Sequence, residues 1–279
     1  MSIQKTDSYF KGHDNHRLYY ESVLPKNPKA ILVFVHGLNE HTGRYEHVVE
    51  RFQNDYGIYL YDQRGHGQSD GIRAHVCSFN EYIQDLAEFV GMVKKNHPRQ
   101  KIFMVAHSMG GQVLLNFLGT YPSIKLAGFI TSSPNIKVAF KISRLKRFVG
   151  LKLSEHFPKF RFPSEVDQKW ISRDPEVVKR YKNDPMVAKS ISARLAAEII
   201  LNQEDVIMNQ APKITLPAFM MHAGDDRICA PEGSEEFFAK LGSQDKTLKI
   251  YPEYYHELFN DLDYEVVLDD MAAWLRERS

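Results

Sequence analysis

The sequence predicts an α/β fold: a mostly parallel sheet covered by helices, with an antiparallel hairpin at one edge and a helical insertion late in the chain. Three observations predict it. Short apolar β-type runs alternate with helix-period segments along most of the 279 residues, the pattern of parallel strands joined by crossover helices. The opening breaks that rhythm with two short runs around a tight turn. A later stretch of more than 80 residues has no good buried strand.

In order along the chain, Tyr9-Phe10 and Leu18-Tyr19-Tyr20 flank the turn-like Gly12-His13-Asp14-Asn15, which predicts a hairpin at the sheet edge. Continuous apolar runs follow at Ala30–Val35, Ile58–Tyr61, Lys101–Ala106, Leu126–Thr131, Ala218–His222 and Leu248–Tyr251. Runs of this kind suit strands buried on both faces. Helical patterns fall at Tyr45–Gln53, Asn80–Asn96, Gly110–Thr120, Pro231–Leu241 and Tyr264–Arg278. The long strandless stretch must carry structure of its own. It reads as a helical cap at residues 135–205, inserted into a core made of residues 1–134 and 206–279.

Composition bounds the function. With 43% apolar and 25% charged residues the chain is globular, not disordered. Thirty-six basic against 35 acidic residues leave a formal charge of +1, so overall charge gives nucleic-acid binding no support. Cys77 and Cys229 form no CxxC pair, which argues against a cysteine metal site or a disulfide framework. The polar start, Met1 to Asp7, lacks the apolar core of a signal peptide. No uninterrupted apolar run approaches the ~20 residues that span a bilayer, so the expected location is the cytoplasm.

Ala106-His107-Ser108-Met109-Gly110-Gly111 follows a predicted strand and opens a predicted helix. This is the context of the G-x-S-x-G nucleophile elbow of the α/β-hydrolase fold. Ala106 replaces the first glycine but keeps a small side chain. A serine N-capping an ordinary helix is the plainer alternative, and the small flanking residues after a strand count against it.

The fold's chain order is nucleophile, acid, histidine. Of twelve histidines, only His256 follows every plausible acid at the next strand end. Gly224-Asp225-Asp226-Arg227 offers two acids after the run Ala218–His222, and spacing alone leaves Asp225 and Asp226 nearly even. His36-Gly37 follows the run Ala30–Val35, where the fold raises its second oxyanion donor. The backbone N–H groups of Leu38 and Met109 are the expected pair.

These blocks resemble those of monoacylglycerol lipases. His36-Gly37-Leu38-Asn39-Glu40-His41-Thr42-Gly43-Arg44-Tyr45 is similar to their HG-x-x-EH-x-x-RY stretch. Tyr61-Asp62-Gln63-Arg64-Gly65-His66-Gly67-Gln68-Ser69-Asp70-Gly71 resembles their D-x-x-GHG-x-S-x-G block, and the elbow their G-HSMGG. Asp226-Arg227-Ile228-Cys229 and Tyr255-His256 complete the series. The resemblance covers residues from about 30 to 260 and assigns the acid to Asp226. It implies cofactor-free, metal-free cleavage of monoacylglycerol to fatty acid and glycerol through an acyl-enzyme. Leu38 stands where a smaller residue is common. Bacterial-type lysophospholipases share the motifs, so a lysophospholipase or general carboxylesterase is the alternative.

Residues Lys137 to Arg161 hold eight lysines or arginines and one acid, Glu155. At helical spacing Val138, Ile142, Leu145 and Val149 share a stripe, with Lys141, Arg144, Lys146 and Arg147 around it. Such a stripe either packs on the core or lies transiently in an anionic membrane surface. Cys229, three residues past the acid, is expected near the pocket. Rival functions are a serine peptidase, which needs an acidic anchor for a substrate amine, and a non-catalytic binding protein. A haloalkane dehalogenase needs an acid at position 108 and is excluded.

Overall fold

The structure, a computed structural model, describes residues 3–163, 167–201 and 204–279. Strands β1 (Ile3–Lys11) and β2 (Arg17–Pro25) pair antiparallel across a turn closed by Gly12 N–H donating to His16 C=O at 2.8 Å. Asn15 sits at φ 66° in that turn. This is the predicted edge hairpin.

Strands β3 (Ile31–Val35), β4 (Gly57–Tyr61), β5 (Ile102–His107) and β6 (Gly128–Ser132) follow, then β7 (Arg161–Pro163) and β8 (Ser190–Ser192), then β9 (Ala218–Ala223) and β10 (Lys246–Tyr251). Eight of them form one sheet in the order β1-β2-β4-β3-β5-β6-β9-β10, parallel from β4 to β10; β7 and β8 pair separately. Every residue of β3, β4, β5 and β6 is buried, which is why these strands read as continuous apolar runs. Residues still alternate between faces: Ile31, Val33 and Val35 join one core layer, Leu32 and Phe34 the other.

Helices α1 (Glu46–Phe52), α2 (Asn80–Asn96) and α3 (Met109–Thr120) cover the first half. Phe89 and Val113, from α2 and α3, pack in one layer, while Phe52 of α1 packs in the other. Between β6 and β9 come α4 (Arg144–His156), α5 (Pro175–Asn183), α6 (Ala193–Leu201) and α7 (Glu204–Gln210); α8 (Pro231–Lys240) and α9 (Tyr264–Arg276) close the chain. The 135–205 insertion of the sequence reading takes in 164–166 and 202–203, which lie outside the described residues.

Two expectations need correction. Leu248–Tyr251 reads as a strand buried on both faces, but β10 is the sheet's outer strand and most of its side chains are partly exposed. The stripe Val138–Val149 is not one helix. Ser143 caps α4, its hydroxyl accepting from Lys146 N–H at 3.2 Å. The preceding residues are not helical: Val138 forms a bridge with Cys229 and Ala139 N–H donates to Ile228 C=O at 2.9 Å. Nor does α4 pack its apolar face on the core: Leu145, Phe148 and Val149 are each more than half exposed.

Candidate active site

The sheet brings the expected residues to one edge. β3 and β5 are parallel neighbours with Val35 opposite Ala106, so the loop after β3 and the turn after β5 emerge side by side. The strand order reverses around β3, and carboxyl ends of strands at such a point form the fold's natural crevice. β9 and β10 are likewise paired, with Ala223 opposite Tyr251. Residues 226 and 256 therefore leave from the same edge.

Ser108 occupies the turn between β5 and α3 at φ 52°, ψ −121°, a conformation that a non-glycine residue holds only when its surroundings enforce it. They do so through backbone bonds. Ser108 N–H donates to Ser132 C=O at 3.0 Å, and Ser108 C=O accepts from Asn135 N–H at 3.0 Å and Gln112 N–H at 3.1 Å. Gly110 has to be glycine for packing: a Cβ there would stand 2.3 Å from Val35 O and 2.4 Å from His36 O. The close approach it permits sets Ser108 against the β3 loop.

The hydroxyl of Ser108 lies 2.8 Å from His256 Nε2, and His256 Nδ1 lies 2.7 Å from Asp226 Oδ2. The other Asp226 oxygen accepts the N–H groups of Ile228 at 2.8 Å and Cys229 at 2.9 Å. Asp226 is thus a fully engaged acceptor, which fixes the tautomer with the proton on Nδ1 and leaves Nε2 to accept from serine. Burial disfavours the Asp226 charge, but His256 and His222 beside it hold its pKa well below the usual carboxylate range. Burial also opposes protonation of His256; the Asp226 charge and hydrogen bond prevail and raise its pKa above the ordinary imidazole value.

Asp225 is elsewhere: partly exposed, and paired with Arg227 at 3.1 Å. Leu38 and Met109 line the same cavity as Ser108 and His256. Among the described residues neither of their N–H groups donates to a protein acceptor. His36 is buried within the loop, its Nε2 accepting from Gln63 N–H at 3.0 Å, and burial pushes its pKa down to about 3. Cys229 is buried on the cavity lining; burial and the Asp226 charge push its thiol pKa well up.

Sequence reasoning missed a second layer. Glu40 Oε1 accepts from Gly37 N–H at 2.6 Å and so braces the loop carrying Leu38. Burial and the charge of Glu257 push the Glu40 pKa up to about 7, against the pull of Arg44. Arg44 holds Glu257 through two bonds of 2.7 Å, lies 3.6 Å from Glu40, and stacks on the Tyr181 ring of α5. Glu40 and Arg44 stand in a recognised block, but only the fold brings Glu257 and Tyr181 to them.

All of this opens on a cavity of about 600 Å³. Phe140, Leu145, Val149, Phe162, Ile191 and Ile200 line its walls, while Asn39, Glu40 and Glu257 line it with polar groups. Asn39 Oδ1 and Glu40 Oε2 are buried without a hydrogen-bond partner.

Comparison with known proteins agrees. A family profile described as "Serine aminopeptidase, S33" matches residues 26–263. The monoacylglycerol lipase of Mycolicibacterium smegmatis is 32% identical over 99% of this chain and 98% of its own. The crystal structure of Paleococcus ferrophilus monoacylglycerol lipase superposes with TM-score 0.83 at 29% identity, covering 100% of both chains. A soluble variant of monoglyceride lipase from Saccharomyces cerevisiae, solved with a substrate analog, gives TM-score 0.86 at 25% identity over 100% of this chain and 96% of that one. Family, fold and the serine at the elbow agree: the chain belongs to the serine aminopeptidase S33 family and is a serine hydrolase of the α/β-hydrolase fold.

Proposed function

We propose that the protein hydrolyses monoacylglycerol to fatty acid and glycerol, with Ser108 as nucleophile, His256 as general base and Asp226 as its orienter. One observation carries the reading. A serine–histidine–aspartate chain of 2.8 and 2.7 Å opens onto a cavity with long apolar walls and a few polar lining residues. The walls suit an acyl chain; the polar part of the lining, at Asn39, suits the hydroxyls of a small polyol.

His256 takes the serine proton as Ser108 attacks the ester carbonyl, and Asp226 stabilises the resulting imidazolium. The Leu38 and Met109 N–H groups hold the oxyanion, each such donor being worth ~3 kcal/mol when well aimed. Glycerol leaves with the proton returned by His256, and water repeats the steps to free the fatty acid. The names of the relatives, monoacylglycerol lipase and monoglyceride lipase, support this substrate. An aminopeptidase is disfavoured despite the family's description: both cavity carboxylates, Glu40 and Glu257, are already faced by Arg44, leaving a substrate amine no free anchor there.

Residues 135–205 serve in this reading as the cap over the acyl cavity. The exposed Leu145, Phe148 and Val149 of α4, set among Lys141, Arg144, Lys146 and Arg147, suit transient contact with an anionic lipid surface. No described helix is long and apolar enough to cross a membrane. We assign the enzyme to the cytoplasm, peripheral to membranes.

The test is a panel of monoacylglycerol, diacylglycerol, lysophosphatidylcholine and an aminoacyl amide, each with Ser108→Ala as control. Fatty acid is expected from monoacylglycerol first, with a loss of roughly 10⁶-fold in the variant. Preference for the lysophospholipid would move the substrate and keep the mechanism. Turnover of the amide alone would overturn the ester reading.

A further inference from the structure

β10 is the outer strand of the sheet, so the loop that follows it and carries His256 has no further strand beside it. A strip of chain from the β6–β9 connection takes that place. Glu257 N–H donates to Ile171 C=O at 2.8 Å and His256 N–H to Trp170 C=O at 3.4 Å. Two residues further along the strip, the bonds converge on one carboxylate. Asp261, with no side-chain surface exposed, accepts from Tyr255 N–H at 2.7 Å and Leu262 N–H at 2.9 Å within the loop. From the strip it accepts Arg173 N–H at 2.7 Å and Arg173 Nε–H at 3.0 Å, while the Ser172 hydroxyl donates to Asn260 C=O at 2.9 Å. A carboxylate offers about four lone-pair sites, so Asp261 is saturated. The Arg173 guanidinium also donates to Leu262 C=O at 2.8 Å and lies 4.4 Å over the Tyr254 ring.

We propose that Arg173 is a positioning residue for His256, the strip Trp170–Arg173 acting as a splint that holds the histidine loop in register with Ser108. This rests on the reading of Ser108 and His256 as nucleophile and base. The loop is gripped near both ends: at residues 256 and 257 by backbone bonds, and at 261 and 262 by a charge-assisted pair of the kind that outlasts thermal motion. Arg173 touches neither cavity nor triad, so its effect passes through the loop backbone. Truncation leaves the backbone bonds in place, Arg173 N–H to Asp261 among them, and removes the guanidinium's hold on Asp261 and Leu262, which loosens the 261–262 end and lets the imidazole drift from its partner.

The experiment compares Arg173→Ala and Arg173→Lys with the wild-type enzyme on p-nitrophenyl butyrate and on a long-chain monoacylglycerol, with and without ethylguanidinium. Misplacing a reacting group by about 1 Å costs up to ~100-fold, so kcat in Arg173→Ala is expected to fall by ten- to 100-fold on both esters. KM should stay within about twofold, because the acyl walls are untouched. Arg173→Lys, which keeps charge without the fork, should recover part of the rate, and ethylguanidinium should restore part of it in Arg173→Ala. Unchanged kcat overturns the proposal. So does a loss confined to KM for the long-chain ester, which would make the strip a cavity wall. A loss fully matched by a smaller folded fraction in circular dichroism, with no rescue, would make Arg173 merely structural and also overturn it. Should the wild-type enzyme turn over neither ester, the reading of the site fails first and the positioning role falls with it.

Discussion

Asp225 and Asp226 are chemically identical neighbours, and their surroundings separate them. One is partly exposed and paired with Arg227; the other is buried, holding two backbone N–H groups and His256. Sequence spacing could not choose between them, because which way a side chain leaves a strand end is decided by the turn. The motif resemblance chose Asp226, the residue that the fold places on His256. The separation sets a test. The base must be unprotonated to act, and the Asp226 charge raises the His256 pKa, so kcat/KM should rise with pH through a midpoint above the ordinary value of about 6.5. Asp226→Asn should move that midpoint to lower pH and cut kcat by roughly 10⁴-fold, while Asp225→Asn should stay within about twofold. Glu40 was visible as a motif residue, yet its work was not, since burial beside Glu257 exists only in the folded chain. A carboxyl with pKa raised to about 7 binds its proton more tightly folded than unfolded. It therefore costs stability increasingly as pH rises from its unfolded value to 7. Glu40→Gln keeps an acceptor for Gly37 and removes that charge. Its Tm relative to wild type should be higher at pH 8 than at pH 5, as scanning calorimetry would register.

At the scale of elements, the strands and their crossover helices were legible because burial on both faces leaves an unbroken apolar run. The connection between β6 and β9 was legible only as an interruption. Its helix α4 begins at Arg144, later than periodicity suggested, because the Ser143 cap and the pairing of Val138 with Cys229 outrank the spacing of apolar residues. The consequence for α4 is physical. With only Ser154 buried along it, its apolar residues are not needed by the core and stay on offer to something else. Vesicles rich in anionic lipid should bind the protein, and binding should weaken with salt. Neutralising Lys141, Arg144 and Arg147 together should weaken flotation with such vesicles by several-fold, at ~1 kcal/mol per charge near the surface. Unchanged flotation would remove the membrane role and leave the hydrolase intact.

Across the whole molecule, the alternation of strand and helix gave the α/β class, and the elbow and chain order gave its active edge. What no local pattern could give is how the β6–β9 connection is attached. The outer position of β10 was equally hidden, because apolar residues in its run read the same at an edge as in the centre. Position in the sheet explains why the histidine loop leans on residues 170–173 at all. Along that flank the connection is tied down repeatedly: to the histidine loop through Arg173 and Asp261, to Arg44 through Tyr181, and to His41 through Asp184 at 2.8 Å. On the other side α4 exposes Leu145, Phe148 and Val149. Read as the proposed cap, the connection has a fixed jamb on this flank and an exposed apolar face at α4. If lipid enters past α4 as proposed, the doorpost proposed to steady His256 is left standing, and access and aim fall to opposite sides of the molecule.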